Sequence, residues 1–403
     1  MNELLKMSVQ SAALAAALCT ACWAAPFVPQ SDAEMVERLP QRIGTAEERR
    51  QQREARLRLR ERPTQLPLAL QLAREALDRA RRLGDPRELG QAEAALAPWW
   101  NLAAPPPAVR LLRATVRQSQ HEFGPALVDL DALRADAAAP LQVQAQAELT
   151  RASVLQVQGR WQEAAQGCER LAGPHYATLG AAVQLPAQAC LAELASLQGR
   201  APQADLRLQA LSREAKDNAS WLTLVRAELA ERRGLDAAGA LFQQALQADG
   251  GSPDVYTLAA YADWLLNRGR GPEVLRLLQG REDADALLLR LALALKQGHQ
   301  PGADTAIATL GGRFDAAAQR GDRSHGREQA RFELDLKGNA AAALSFAQAN
   351  WAVQKEPADA LLLVRAAQAA GQSAAAEPVW QRLRETGGED ARLKRLADGK
   401  ARP

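Results

Sequence analysis

Apolar residues recur along most of the chain at helical spacing, and the recurrence is punctuated by glycine. Gly159, Gly199, Gly234, Gly269, Gly298, Gly338 and Gly371 each follow a helical pattern. They stand 40, 35, 35, 29, 40 and 33 residues apart. A glycine just past a helix end adopts the left-handed cap conformation without a Cβ clash. Five residues after each glycine stand Ala164, Ala204, Gly239, Val274, Ala303, Ala343 and Ala376, six of them Ala or Gly. Seven residues before the turn, Ala152, Ala192, Ala227 and Ala262 are also small. Small residues at facing positions let two antiparallel helices approach closely. The predicted unit is therefore helix A, a glycine turn and helix B. Self-alignment gives the same unit earlier in the chain: Arg113–Gln120 recurs as Arg151–Gln158, Phe123 meets Trp161 and Ala126 meets Ala164.

The segment from Val154 to Ala164, with Gly159-Arg160-Trp161 at its centre, resembles the turn of the tetratricopeptide repeat, or TPR. The segment from Glu228 to Ala238 resembles it too, with a one-residue shift. Pro140, Pro253 and Pro357 stand where proline often opens the next unit. The stretch from Ala330 to Ala366 is similar to a recurring part of exported Gram-negative bacterial TPR proteins. The resemblance covers about residues 108–386 and implies an all-α fold: an α-solenoid, a right-handed superhelix of about eight to nine antiparallel helix pairs. The 29- and 40-residue spacings depart from the family and imply trimmed or extended helices. Each pair is expected to bury its apolar face on its neighbours alone.

In the resembled family the A helices line the concave side. Six residues before the turn glycine, the groove position falls on Ser153, Glu193, Glu228 and Asp263, with Thr115 in the earlier unit. Three residues before, it falls on Gln156, Ser196, Glu231 and Leu266, with Gln118 earlier. Trp221 and Tyr256 lie further up the same helices. The resemblance thus implies a polar, partly acidic groove with aromatic anchors, suited to a protein or peptide partner carrying basic residues. Family members that clamp a terminal carboxylate use Lys and Asn at these positions. This chain has neither there, which disfavours that mode.

The remaining chain divides by composition. Residues 25–64 form a charged N-terminal segment, partly helical, in which Arg and Glu interleave as on a solvated face. Residues 65–107 read as an irregular first helix pair, broken at Gly84-Asp85-Pro86, with Trp99-Trp100 before the Pro105–Pro107 break. Residues 387–403 read as a polar capping helix and tail. The chain of 403 residues is 47% hydrophobic and 4% aromatic, which excludes a disordered chain and argues against a mostly β protein. With 50 basic and 47 acidic residues the charges are mixed, and nothing in them favours nucleic acid.

Residues 1–24 have the make-up of a secretory signal peptide: Lys6, an apolar stretch from Ala12 to about Trp23, and small residues for cleavage after Ala24. The apolar stretch is too short to span a bilayer, so no integral span is expected and the periplasm is the expected location, with outer-membrane association the variant. A lipid anchor on Cys22 is the rival reading; the position three residues before it is Cys19 instead of an aliphatic residue. Cys168 and Cys190 remain after processing, and an even count in an exported protein favours a bridge over two buried thiols. Two Cys are too few for a metal site. His121, His175, His299 and His325 form no HExxH, and there is no GxxxxGK, GxGxxG after a strand or GxSxG. His325, beside Arg327 and Glu328, is the one histidine in a setting that could form a small site. No catalytic, cofactor or metal site is expected. The function implied is an adaptor or assembly factor for an envelope complex, with a lipid-anchored accessory subunit of a secretion or outer-membrane machine as the alternative and an enzyme as the third class.

Overall fold

The computed structural model describes residues 31, 46–215, 220–248, 253–321 and 326–399. The expected signal peptide, Cys19, Cys22 and His325 lie outside the described residues. The chain divides into units of residues 1–43 and 44–403, and every element below lies in the second.

Among the described residues every element is helical. A charged helix α1 (Ala46–Glu61) precedes the first pair, α2 (Leu66–Leu83) and α3 (Arg87–Ala95); a single turn α4 (Ala97–Trp100) follows. Then come α5 (Pro107–Ser119) with α6 (Phe123–Ala135), α7 (Leu141–Val157) with α8 (Trp161–Ala172), and α9 (Ala181–Leu197) with α10 (Ala201–Glu214). The next pairs are α11 (Ser220–Arg232) with α12 (Ala238–Ala248), α13 (Val255–Leu266) with α14 (Gly271–Leu278), and α15 (Asp285–Gln297) with α16 (Ala303–Gln319). The last are α17 (Gly326–Arg331, continued by a wide-turn stretch Phe332–Lys337) with α18 (Ala340–Val353), and α19 (Pro357–Ala369) with α20 (Glu377–Thr386). A final helix, α21, spans Ala391–Ala397. Nine antiparallel pairs are thus described, an α-solenoid.

The turns repeat in atomic detail. A backbone N–H reaches back five residues to a carbonyl at 122→117, 160→155, 200→195, 235→230, 270→265, 300→295 and 372→367, with distances from 2.8 to 3.1 Å. This is the hydrogen bond of a helix closed by a left-handed residue. Six of the seven expected glycines hold that conformation; Gly298 has φ −88°. There the left-handed residue is His299 (φ 49°), and in the second pair it is His121 (φ 61°). The glycine series is therefore displaced by one residue at one turn. The irregular spacings also have structural causes: α14 is only 8 residues long, and a 3-10 turn (Pro174–Leu179) lengthens the α8–α9 connection.

The small residues behave as facing pairs require. Ala164, Ala204, Ala343, Ala376, Ala152, Ala192, Ala227 and Ala262 are buried. A Cβ on Gly239 would stand 2.4 Å from the Trp264 indole, so only glycine lets α12 close on α13. One apolar cluster runs without a break from Leu224 to Leu336. Cys168 on α8 and Cys190 on α9 form a disulfide that staples a B helix to the next A helix, Cα–Cα 6.2 Å.

The expectation that each pair touches only its neighbours fails. Lys355 N–H donates to Val157 O at 2.7 Å, Gln354 Nε2 meets His121 Nδ1 at 3.1 Å, and Arg382 Nη2 donates to Gly159 O at 2.6 Å. A Cβ on Gly199 would lie 2.7 Å from the carbonyl oxygen of Gly387. At the other end, Arg81 pairs with Asp254 at 3.6 Å, and Gly84 abuts Val255. The array curves until its C-terminal pairs seat on the turns of the middle ones. Helix α21 is accordingly no simple polar cap, since Leu393 is buried and Arg392 pairs with Glu231 at 3.3 Å.

Candidate functional site

Curvature of this kind wraps the A helices around an interior space. A cavity of about 370 Å³ is lined by residues of α7, α9, α11, α13, α15, α17, α19 and α21, all A-type positions, with Trp161 and Arg81 at its margin. Helix geometry explains the convergence. Residues three and four apart share a helix face, so Glu193 and Leu197, Glu228 and Glu231, and Asp263 and Asn267 each present one face inward.

Of the twelve positions read from the sequence, Ser196 and Leu266 are buried; of the other ten, six meet here: Gln156, Glu193, Glu228, Glu231, Tyr256 and Asp263. Four do not. Thr115 and Ser153 turn their hydroxyls onto the carbonyls of Leu111 and Leu149, at 3.0 and 3.1 Å. Gln118 belongs to a pair that stops short of the cavity. Trp221 lines a separate open hollow beside Leu185 and Arg207.

Sequence reasoning missed the cations that share the cavity, since they come from the far end of the chain. Asp263 takes Arg290 at 2.7 Å and Arg331 by a short contact. Burial works against the ionised form of Asp263, but the two guanidiniums hold its carboxyl below the usual range. Glu231 accepts from Arg392 and from Asn267 Nδ2 at 3.3 Å. Arg327 bridges Glu356 and the buried Asp359. The wide turn after α17 frees carbonyls that Lys296 Nζ satisfies, at 3.0 Å to Asp335 O and 2.8 Å to Leu336 O. Asp335, in that same stretch, holds Arg365 at 2.6 Å. The Glu356–Asp359 capping box starts α19, and the same two carboxylates take Arg327. The signal available in the sequence was modest: Arg327 and Arg331 sit one turn apart before an Asp.

Two carboxylates stand outside this pairing. Among the described residues neither Glu193 nor Glu228 has a cation within ion-pair reach. Glu228 accepts from the Tyr256 hydroxyl at 2.7 Å. Burial pushes Glu228 up to about 7; the Tyr256 hydrogen bond opposes this, and the Glu193 charge adds to it. Burial raises Glu193 as well, against the more distant Arg232. Tyr256 is 53% exposed, on the cavity it lines, and the Glu228 charge and burial together raise its hydroxyl far above the ordinary phenol range. The arrangement is an acidic, hydrogen-bonded spot under an aromatic ring, bordered by ion pairs already closed. A group carrying a positive charge and N–H donors is what it would stabilise. No group of three or more His, Cys, Asp or Glu with metal-holding geometry occurs among the described residues. No described helix is long and apolar enough to cross a membrane.

No family model matches the sequence, and no curated protein matches it either. Among solved structures, the chain is similar to the crystal structure of the P58(IPK) TPR domain, at 13% identity over 80% of this chain and 93% of that one, with a TM-score of 0.21. At that score the two do not superpose as wholes. The α-solenoid assignment stands on the repeated turn and the nine helix pairs.

Proposed function

We propose that this chain is a non-catalytic helical-repeat scaffold that captures a protein or peptide partner. Its capture point is the unpaired acidic spot of Glu193 and Glu228 beside Tyr256. One observation supports this most: A helices from successive pairs bring six predicted groove residues to one cavity, and among those six the carboxylates of Glu193 and Glu228 form no ion pair with a described residue. A cavity of about 370 Å³ holds a side chain or a chain terminus, not a long peptide. The partner therefore inserts a Lys or Arg side chain while the outer helix faces hold the rest. The signal-like residues 1–24 support export to the periplasm, where the scaffold would serve as an adaptor or assembly factor for an envelope complex.

The test is crosslinking in cells of the native chain and of Glu193→Lys/Glu228→Lys, with fractionation and mass spectrometry of what is captured. A discrete periplasmic partner lost in the double variant, with helical content retained, is the expected result. A partner set identical in both proteins, or a cytoplasmic fraction holding the mature chain, overturns the reading.

A further inference from the structure

Among the described residues three cations near the cavity form no close ion pair, although carboxylates act on each from further off: Glu193 and Asp390 on Arg232, Asp359 on Lys355 and Glu385 on Arg382. Arg232, at the end of α11, is only 7% exposed, and its one hydrogen bond is to Ser196 Oγ at 2.8 Å. Lys355, just before α19, gives its Nζ a single long contact, 3.3 Å to Ala352 O. Arg382, on α20, lies with its guanidinium 3.9 Å over the Trp161 ring; one nitrogen reaches Gly159 O, and its buried Nε has no partner. Arg232 lies more than a hundred residues before Lys355 and Arg382, and it meets them because the array closes on itself. Together they line a recess of about 40 Å³ walled by Trp161 and Trp351.

The carboxylates on that recess are accounted for. Glu356 is taken by Arg327, and Asp390 by Arg392 at 2.7 Å. Glu389 is exposed to solvent. Burial lowers Arg232, Lys355 and Arg382 alike, and the Arg382 charge lowers Lys355 further. Arg232 is buried and Lys355 and Arg382 are half-buried, and donors withdrawn from water in this way are costly unless an anion completes them.

We propose that Arg232, Lys355 and Arg382 form a binding site for a small oxyanion, a carboxylate or a phosphate, seated between Trp161 and Trp351. The recess has room for such a head group, and its lining includes two guanidiniums and an ammonium. The site adjoins the acidic spot, since Arg232 and Lys355 line both hollows, but its test does not depend on a basic partner binding there. An occupied site would bridge α11 to α19 and α20, tightening the closure between the middle and C-terminal pairs.

Isothermal titration calorimetry on the full chain tests this, at fixed ionic strength balanced with chloride. The probes are inorganic phosphate, acetate, and one short neutral peptide in free-acid and C-terminally amidated forms. The native chain should show saturable one-to-one binding of at least one of phosphate, acetate or the free-acid peptide, and none of the amide. Lys355→Met should weaken it about tenfold or more. Arg382→Gln should weaken binding comparably, but it also removes the Trp161 stack and the Gly159 link. Lys355→Met removes no such link and keeps the test independent of folding. Binding of phosphate alone assigns a free oxyanion; binding of the acid peptide and acetate assigns a carboxylate. No saturable binding of any probe, or equal affinity in Lys355→Met, overturns the proposal.

Discussion

Replacing Glu228 by Gln isolates the electrostatic cost of the acidic spot. The change keeps the shape of the side chain and an oxygen to accept from Tyr256, and removes only the charge. In the native fold the Glu228 carboxyl is pushed up to about 7, first by burial and then by the Glu193 and Glu356 charges; in the unfolded chain it returns to about 4.5. At about 1.4 kcal/mol per pH unit, that displacement corresponds to ~3 kcal/mol. The sign follows from proton counting. Below pH 4.5 both states hold the proton, and the native chain and Glu228→Gln should be equally stable on this account. Between 4.5 and 7 the folded state keeps a proton that the unfolded state has released, so native stability falls as pH rises. Above 7 both are ionised and the folded protein bears the whole penalty. Glu228→Gln escapes it and should be more stable than the native chain by up to ~3 kcal/mol at pH 8, less where cavity water screens the charge. Urea unfolding followed by circular dichroism at pH 4.5, 6 and 8 measures the gap directly. A gap that does not change with pH, or a native chain that is the more stable at pH 8, refutes the assignment of Glu228 as an unpaired buried carboxyl.

Other perturbations have equally definite outcomes. Reducing the Cys168–Cys190 bridge, which closes a separation of 22 residues, should cost about 3 kcal/mol in the loop-entropy account, read as a lower urea midpoint with dithiothreitol; an unchanged midpoint refutes a formed bridge. Gly199→Ala should destabilise by at least ~1 kcal/mol more than Gly269→Ala. Both glycines have a left-handed backbone, but only the Cβ at 199 strikes another chain segment, the Gly387 carbonyl; equal losses in thermal unfolding would refute the closure. Asp263→Asn strands Arg290, leaves Arg331 only its longer pair with Asp335, and should cost about 3 kcal/mol at pH 7. Because the Asp263 carboxyl is held below its ordinary range, that stability is present above its unfolded-state value and disappears as pH falls through its lower folded one; a difference between the two proteins that persists at pH 2 contradicts the pairing.

What could be read from the sequence, and what could not, divides by the distance over which the chain interacts. The helix-turn-helix unit is a local object. A left-handed residue, a helix face and a small residue five positions on all lie within about ten residues of one another, so Gly159, Ala164 and Ala152 carry it unaided. Even the one displaced turn obeys the same physics, since a short polar side chain tolerates the left-handed region and His299 takes it where Gly298 does not. The six groove positions that converge were legible for the same reason, as a face repeated along successive A helices. The partners of those positions were not. Arg392 meets Glu231, Arg331 meets Asp263, and Lys355 meets Val157 across separations that no periodicity encodes. They depend on the pitch accumulated over several units, and a shortened α14 or a widened turn at Phe332–Lys337 changes that pitch. This bears on function directly. A groove read from one repeat suggests a uniformly acidic surface. The closed array sorts its charges into satisfied pairs, one unpaired acidic spot at Glu193 and Glu228, and one unpaired basic recess at Arg232, Lys355 and Arg382. The residues left over after the chain has paired with itself are the ones free to recognise something else.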